Sequence, residues 1–522
     1  MNRLFVAGVL AALSFRLAAT GQAVEQSDKP NILFIITDQH HARMLSSAGN
    51  PYLKTRALDS MARSGIRFSR AYVCNPVCVP SRISMATGVM AGRFGVFNNG
   101  MKATIPKEVS TNSLGKLIKA GGYDTFYGGK VHMAPELTPL KAGYDEYCKD
   151  QRDKLPEACI ECMTRKRDKP FFAVASFINP HDICFAYNAR QPNRKGKPLV
   201  DRLYREAQAL PADQLPPLPD NSAVPKREPN AIEANMKEIS VTPAKLIRKD
   251  YNNRDWRNYR WIYCRLTERV DAQIGRLLDA LKVHDLEKNT LVIFTSDHGM
   301  AFAGGKTTVY EGGLRVPFIV RNPYQKERGN TNNAMLSFVD IVPTLLDFAG
   351  GYDAKTGGAK PELAMMPGGR GTKKGPYKFH GRSFLPILAE KNPKGWDRIN
   401  ASHTFHEIQM YYPMRVVRDR KYKLIWNIAH PLPYPFASDL WAAPSWQAQW
   451  KKGQSAPYGK KTVREYIHRP QFELFDISAD PNEAVNLATD AKYAKVLEEY
   501  KAKLKKFQEN TQDPWVLKWR YE

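Results

Sequence analysis

Apolar positions along the chain fall into two periodicities. Asn31-Ile-Leu-Phe-Ile-Ile-Thr37 is a continuous apolar, β-rich run that ends in Asp38. Such a run suits a central strand of a parallel sheet, covered on both faces. Pro170-Phe-Phe-Ala-Val-Ala-Ser-Phe177 is a second such run and Thr290-Leu-Val-Ile-Phe-Thr295 a third. Between them the spacing predicts helices: Thr55 to Ser64, opened by Thr55 as its cap, then Tyr259 to Val283 and Ser337 to Phe348. Strands alternating with helices imply an α/β fold with a large, mostly parallel sheet flanked by helices. In such sheets ligands gather beyond the carboxyl ends of the strands. Three predicted strand ends carry chemically capable residues: Asp38-Gln39, Asn179-Pro180-His181 and Asp297-His298.

Other stretches punctuate this pattern. Residues 185–255 are rich in Pro, Lys and Arg with little periodicity, and read as a long irregular excursion that shapes access to the site. Residues 350–378 form a Gly/Pro/Lys-rich loop that marks the end of the large domain. Beyond it, Met414 to Arg418 and Tyr422 to Trp426 read as a hairpin, and Ala491 to Phe507 as a helix rich in Lys and Glu. A chain of 522 residues exceeds one small core. The expected division is a catalytic domain over 24–385 and a smaller C-terminal α+β subdomain over 386–522. No internal repeat is visible.

The first residues follow a different logic. Met1-Asn-Arg is a short basic region, Leu4 to Phe15 is apolar but too short to span a bilayer, and Gly21-Gln22-Ala23 puts small residues at the −3 and −1 positions. This predicts a secretory signal peptide over 1–23, and hence a secreted or periplasmic protein. No later stretch approaches the roughly 20 apolar residues of a membrane span, so no stable insertion is expected.

Composition changes the picture in two ways. The formal net charge of +26 attracts polyanions, and an exported protein meets sulfated polysaccharide rather than nucleic acid. Seven cysteines is an odd number, so at least one is unpaired or otherwise used, and the remaining six are free to form disulfides. Cys159-x-x-Cys162 lacks a second Cys/His pair at zinc spacing.

Cys78-Val-Pro-Ser-Arg82 opens a segment that reads as the first turns of a helix. Free N–H groups and partial positive charge at a helix N-terminus favour an anion and lower a thiol's pKa. This pentapeptide resembles the segment read by the formylglycine-generating enzyme in type I sulfatases. The resemblance implies an alkaline-phosphatase-like sulfatase fold and oxidation of Cys78 to formylglycine. The hydrated aldehyde would attack sulfur with one hydroxyl and expel sulfate with the other.

Further positions match the same family. Asp38 and Gln39 stand where sulfatases carry an Asp pair, and Asp297 and His298 where they carry Asp-Asn or Asp-His. With Cys78 these imply one divalent cation per chain beside the nucleophile. Calcium is the family's usual ion and prefers oxygen ligands. Gln39 offers a neutral carbonyl and His298 a nitrogen, so both reduce the negative charge of the site. Gly129-Lys130-Val131-His132 resembles the family's Gly-Lys-x-His segment: Lys130 would bind a sulfate oxygen and His132 would orient or deprotonate the diol. His181 would meet the sulfate or the leaving atom, Lys306 would contact the sulfate, and Arg82 would hold the nucleophile's surroundings.

The resemblance runs from Pro30 to near the C-terminus, and within the family the tail is most similar to the sulfamidases. His406-Glu407, Tyr412-Pro-Met-Arg415 and Asp513-Pro-Trp515 carry that likeness, which makes His403, His406 and Glu407 candidate substrate contacts. The implied function is hydrolysis of sulfate esters or sulfamates of sulfated oligo- or polysaccharides. The formylglycine-generating enzyme is the implied partner, and homo-oligomerisation is left open. Two other readings stand beside it. A phosphonate or phosphodiester hydrolase of the same fold would be separated by comparing sulfate and phosphate esters. A non-catalytic binder of acidic polysaccharide would keep its function in Cys78→Ala.

The signal-peptide reading has a direct check. N-terminal sequencing of the exported mature protein should begin at Val24; a mature chain that still starts at Met1 would rule it out.

Overall fold

The structure is a computed structural model that describes residues 29–100, 104–186, 189, 197–217, 253–300, 305–363, 377–406, 411–434, 450, 452–458 and 461–521. The expected signal peptide and most of the expected excursion over 185–255 lie outside these residues. Within that excursion Pro198–Ala209 is a helix rather than irregular chain, because Val200, Leu203, Tyr204 and Ala207 fall on one face and pack against Ile262 and Leu266.

Eight strands form the main sheet: β1 (Asn31–Asp38), β2 (Ile66–Tyr72), β3 (Asp124–Gly129), β4 (Glu146–Cys148), β5 (Phe171–Pro180), β6 (Thr290–Ser296), β7 (Arg315–Arg321) and β8 (Asn330–Ser337). Their order is β4-β3-β5-β1-β6-β7-β2-β8. All are parallel except β7, which runs antiparallel to both β6 and β2.

The three apolar runs of the sequence became β1, β5 and β6, which lie side by side at the centre. β1 shows why such runs are continuous. Ile32, Phe34 and Ile36 enter one core layer, while Leu33 and Ile35 enter the other. With period-2 alternation and both faces covered, successive positions on both sides are apolar. Each such fully buried side chain contributes roughly 1.5–3 kcal/mol.

Helices supply the two covers. On one face pack α1 (Arg56–Ser64), α3 (Leu155–Thr164) and α4 (Asn253–Val283); on the other lie α2 (Cys78–Thr87) and α5 (Ile341–Phe348). α4 begins earlier than the sequence pattern predicts. Its buried stripe of Ile262, Leu266, Val270, Ile274, Leu277 and Leu281 keeps helical spacing along its length. Thr55 is the N-cap residue, as expected, but its side chain caps no N–H of the helix: Thr55 Oγ1 accepts from Ser46 N at 3.0 Å and donates to Asp59 Oδ1 at 3.1 Å. The free N–H groups of Ala57 and Leu58 donate instead to Asp271 of α4, at 3.0 and 2.9 Å. A tertiary partner thus satisfies the orphan donors of the helix start.

A second sheet follows, with antiparallel strands β9 (Arg398–His403), β10 (Met414–Asp419), β11 (Tyr422–Asn427) and β12 (Phe472–Asp476) in that order. The predicted hairpin is β10–β11, with Asp419 Oδ1 accepting from Lys421 N and Tyr422 N at 3.0 and 2.9 Å. One face of this sheet, through Val417, Leu424 and Trp426, packs on α6 (Ala494–Thr511). The other, through Met414, Val416, Ile425 and Phe475, joins the main core. Ser402 N donates to Cys74 O at 2.9 Å, which ties β9 to the segment just before α2. All seven cysteines are free thiols, so the disulfides that the count allowed are not formed.

Burial holds four histidines neutral well below their ordinary range: His40 and His380 at about 4, His41 and His403 at about 3. In the unfolded chain each takes up a proton near pH 6.5, as a free imidazole does. At these four groups the unfolded state therefore binds more protons between pH 6.5 and 4, and the stability they contribute is lost as pH falls through that window. The carboxyls of Asp271, Asp297 and Asp340, raised to about 6 by burial, offset part of the loss below pH 6. Scanning calorimetry from pH 7.5 to 4.5 should show the melting temperature falling steadily below about pH 6.5. A flat profile would show that these imidazoles are protonated in the fold.

Candidate active site

The carboxyl ends of β3, β5, β1 and β6, four adjacent strands, deliver most of the site. Asp38 is the last residue of β1, His181 follows β5 at a cis Asn179–Pro180 bond, and Asp297-His298 follow β6. Lys130 follows β3 and is held in register by its N–H donating to Ser176 O at 2.8 Å. Gly129 just before it has φ +92°, and a Cβ there would lie 2.0 Å from Ser176 O, so this close approach requires glycine. Across from these ends, α2 presents Cys78 at its first position.

Arg82 binds the two carboxylates together. Its Nε donates to Asp297 Oδ2 at 2.9 Å and an Nη to Asp38 Oδ2 at 3.1 Å. The other Nη donates to Ser176 Oγ and Lys130 O at 2.9 and 3.0 Å. Ser81 Oγ donates to the carbonyl of Asp297. Lys130 Nζ ion-pairs with Asp38 and lies 4.0 Å from Cys78 Sγ. His298 donates from Nδ1 to Gly299 O at 2.8 Å, which turns Nε2 towards Cys78 Sγ at 3.1 Å.

These charges retune one another. Burial would raise Asp38, but Lys130 and Arg82 hold it well below the ordinary carboxylate range. Burial would likewise raise the Cys78 thiol; Lys130, with His298 and Lys306, draws it well below its usual value. Burial and the nearby Asp38 push Asp297 up to about 6. His298 rises to about 9 against burial, because Asp297 and Cys78 face it. Burial and Lys130 lower His181 to about 3, so this ring is neutral.

Asp38, Cys78, Asp297 and His298 are all buried, and their ligand atoms lie within 4.8 Å of one another. Asp38 Oδ1 is buried and accepts no hydrogen bond. A buried carboxylate oxygen without a donor points to a bound cation, and this donor set fits a divalent ion.

The remaining expected residues are distributed as follows. Lys306 is 5% exposed, and its charge acts on Cys78, His298 and His181. Gln39 joins the site through its backbone, whose N–H donates to Asp297 Oδ1 at 3.2 Å; its side-chain amide lies 3.8 Å from Cys184 Sγ. His132 has φ 44° and a buried Nδ1 without a partner. His403 ends β9, and His406 Nε2 lies 3.1 Å from Asn99 Nδ2. Glu407 lies outside the described residues. Sequence reasoning missed Ser176 and Asn99. Ser176 stood unremarked in the second apolar run. Asn99, whose Oδ1 accepts from Val79 N of α2 at 3.0 Å, has no local signal at all.

Comparison with known proteins agrees with this geometry. Residues 30–352 match the family model described as Sulfatase. Human N-sulphoglucosamine sulphohydrolase is 30% identical over 496 residues, covering 90% of this chain and 88% of that one. A Delta 4,5-hexuronate-2-O-sulfatase of Bacteroides thetaiotaomicron is 25% identical, covering 96% and 93%. The solved structure of a 2-O GAG sulfatase superposes with a TM-score of 0.66 at 23% identity, covering 94% of each chain, and shares the fold. The chain therefore belongs to the sulfatase family. It is an enzyme of the sulfohydrolase class.

Cation binding should register as stability. At a free cation concentration a hundredfold above its Kd, the fold gains about 2.7 kcal/mol. Calcium added to chelator-treated protein should raise the melting temperature of the wild type but not of Asp297→Asn. An equal shift in both would place the ion elsewhere.

Proposed function

We propose that this sulfatase hydrolyses sulfate esters or sulfamates of sulfated saccharides outside the cytoplasm, using a formylglycine made from Cys78 and one bound divalent cation, with calcium the first candidate. The observation that carries this reading is Cys78 at the start of α2, 3.1 Å from His298 and inside a four-residue cluster with two carboxylates. The names of the relatives support a saccharide substrate.

Asp38, Asp297 and His298 would hold the cation, with Gln39 beside them. When bound, the cation supplies positive charge that polarises the sulfate oxygens and favours the ionised diol. Lys130 and Lys306 would neutralise the sulfate, as charge held near Cys78 before the reaction begins. Arg82 keeps the two carboxylates in position. Neutral His181 hydrogen-bonds the leaving oxygen or nitrogen, and His132 moves the proton of the diol. The formylglycine-generating enzyme must act before His298 and Lys130 enclose Cys78, because the residue is 1% exposed in the fold.

The deciding measurement is peptide mass spectrometry across Cys78 on protein from its natural host. Replacing sulfur by oxygen and oxidising to the aldehyde leaves that peptide about 18 Da lighter, within the oxidation chemistry of cysteine. Such protein should release sulfate from sulfated glycans faster than phosphate from matched phosphate or phosphonate esters. Cys78→Ala should lose at least about a thousandfold, as removal of a covalent nucleophile does. An ordinary thiol at Cys78 in active protein would overturn the mechanism. Preference for phosphate or phosphonate esters would move the chain to that other class of hydrolase.

A further inference from the structure

Five polar side-chain atoms lie buried without a hydrogen-bond partner beside the start of α2: Asn75 Oδ1, Thr307 Oγ1, His403 Nδ1, Thr404 Oγ1 and Tyr412 OH. Each of these residues is at most 4% exposed. Buried polar groups are almost always paired, so an orphan calls for an explanation, and five in one neighbourhood call for a shared one.

Backbone hydrogen bonds and ring contacts bring the segments that carry the five together. Thr307 N donates to Pro76 O at 2.9 Å, between Asn75 and Cys78. Tyr434 OH donates to Thr307 O at 3.0 Å, and its ring meets that of Tyr412 edge-on at 5.0 Å. Tyr412 N donates to Thr404 O at 2.7 Å. Behind Tyr434, the guanidinium of Arg469 stacks 3.5 Å from its ring centroid and stiffens that wall. The neighbourhood therefore joins three segments: the approach to Cys78, the loop carrying Lys306, and the ends of β9 and β10.

Three of the five are hydroxyls that both donate and accept, one is an amide oxygen and one an imidazole nitrogen, while Arg469 in the wall behind them keeps a buried Nη2 without a partner. Such a set pairs with neutral hydroxyl groups spread over several directions, as on a pyranose ring. It gives nothing to a plain aryl ring.

We infer that Asn75, Thr307, His403, Thr404 and Tyr412 form the subsite for the sugar ring that bears the scissile sulfate, whose hydroxyls complete their hydrogen bonds. This rests on the sulfatase reading above and adds the residues that select a saccharide over other sulfate esters. A site built to hydrogen-bond substrate hydroxyls discriminates strongly against an analogue that lacks them.

The test uses the near-isosteric variants Thr307→Val, Thr404→Val and Tyr412→Phe in full-length protein carrying the modified Cys78. Each is assayed on sulfated glucosamine and uronate saccharides and on p-nitrophenyl sulfate. The ratio of kcat/KM for saccharide over aryl sulfate should fall about tenfold per variant, chiefly through KM, and Thr404→Ser should keep the ratio of the wild type. Without ligand, each variant should melt no lower than the wild type, because it removes a buried group that has no partner. A parallel loss on both substrates, an unchanged ratio, or a lowered melting temperature would overturn the subsite and assign these residues to structure. A wild type that carries formylglycine yet turns over no sulfate ester would overturn the sulfatase reading itself, and the subsite with it.

Discussion

Everything around the site depends on two carboxylates being buried side by side. Asp38 and Asp297 end neighbouring parallel strands, are fully enclosed, and face each other across Arg82. A buried charge without a partner is expensive, and removing one member of such a group typically costs about 3–5 kcal/mol. One guanidinium meets the cost at two points because its fork offers donors in several directions. The same contacts fix the distance between α2 and the sheet. They thereby set where Cys78 stands relative to His298 and Lys130. The position of the nucleophile is a consequence of charge compensation below it.

The second sheet packs beside that arrangement, joined to it where Ser402 N donates to Cys74 O at 2.9 Å. Its docking is electrostatic as well as apolar. Arg418 Nε donates to Glu311 at 3.0 Å, Lys423 pairs with Glu483 at 2.6 Å, and Tyr310 OH donates to Glu473 at 3.1 Å. These groups are buried, so their geometry is unforgiving: each partner is worth most when the other is in place. Glu311 opens the turn that leads into β7, immediately after the loop carrying Lys306 and Thr307. The contacts that seat the C-terminal sheet thus also set the loop that faces Cys78. Catalytic charge and the strand ends near His403 are mechanically one assembly.

The sequence by itself determined the centre of the fold and most of the chemistry. Three continuous apolar runs became β1, β5 and β6 because a strand covered on both faces favours apolar side chains on both sides, and its few polar ones, such as Ser176, must find partners. Their polar ends met because parallel neighbours place their carboxyl ends together. Cys78, Arg82 and Lys130 were legible in short motifs, since a local backbone shape carries them. Weaker strands escaped notice. β2 carries Arg67, Ser69 and Arg70 among its apolar residues, and β4 has three residues. β2 alternates only over residues 66–69 before a bulge breaks the pattern, and β4 is too short to show one. What tertiary structure alone decided was pairing at a distance. Asp271 caps a helix more than 200 positions away, Asn99 ties α2 to His406, and Gln39 offers its backbone to the site while its amide meets Cys184. No periodicity or motif encodes such contacts. They follow from which surfaces the packed sheet and helices bring within hydrogen-bond reach, and that geometry exists only once the chain has folded.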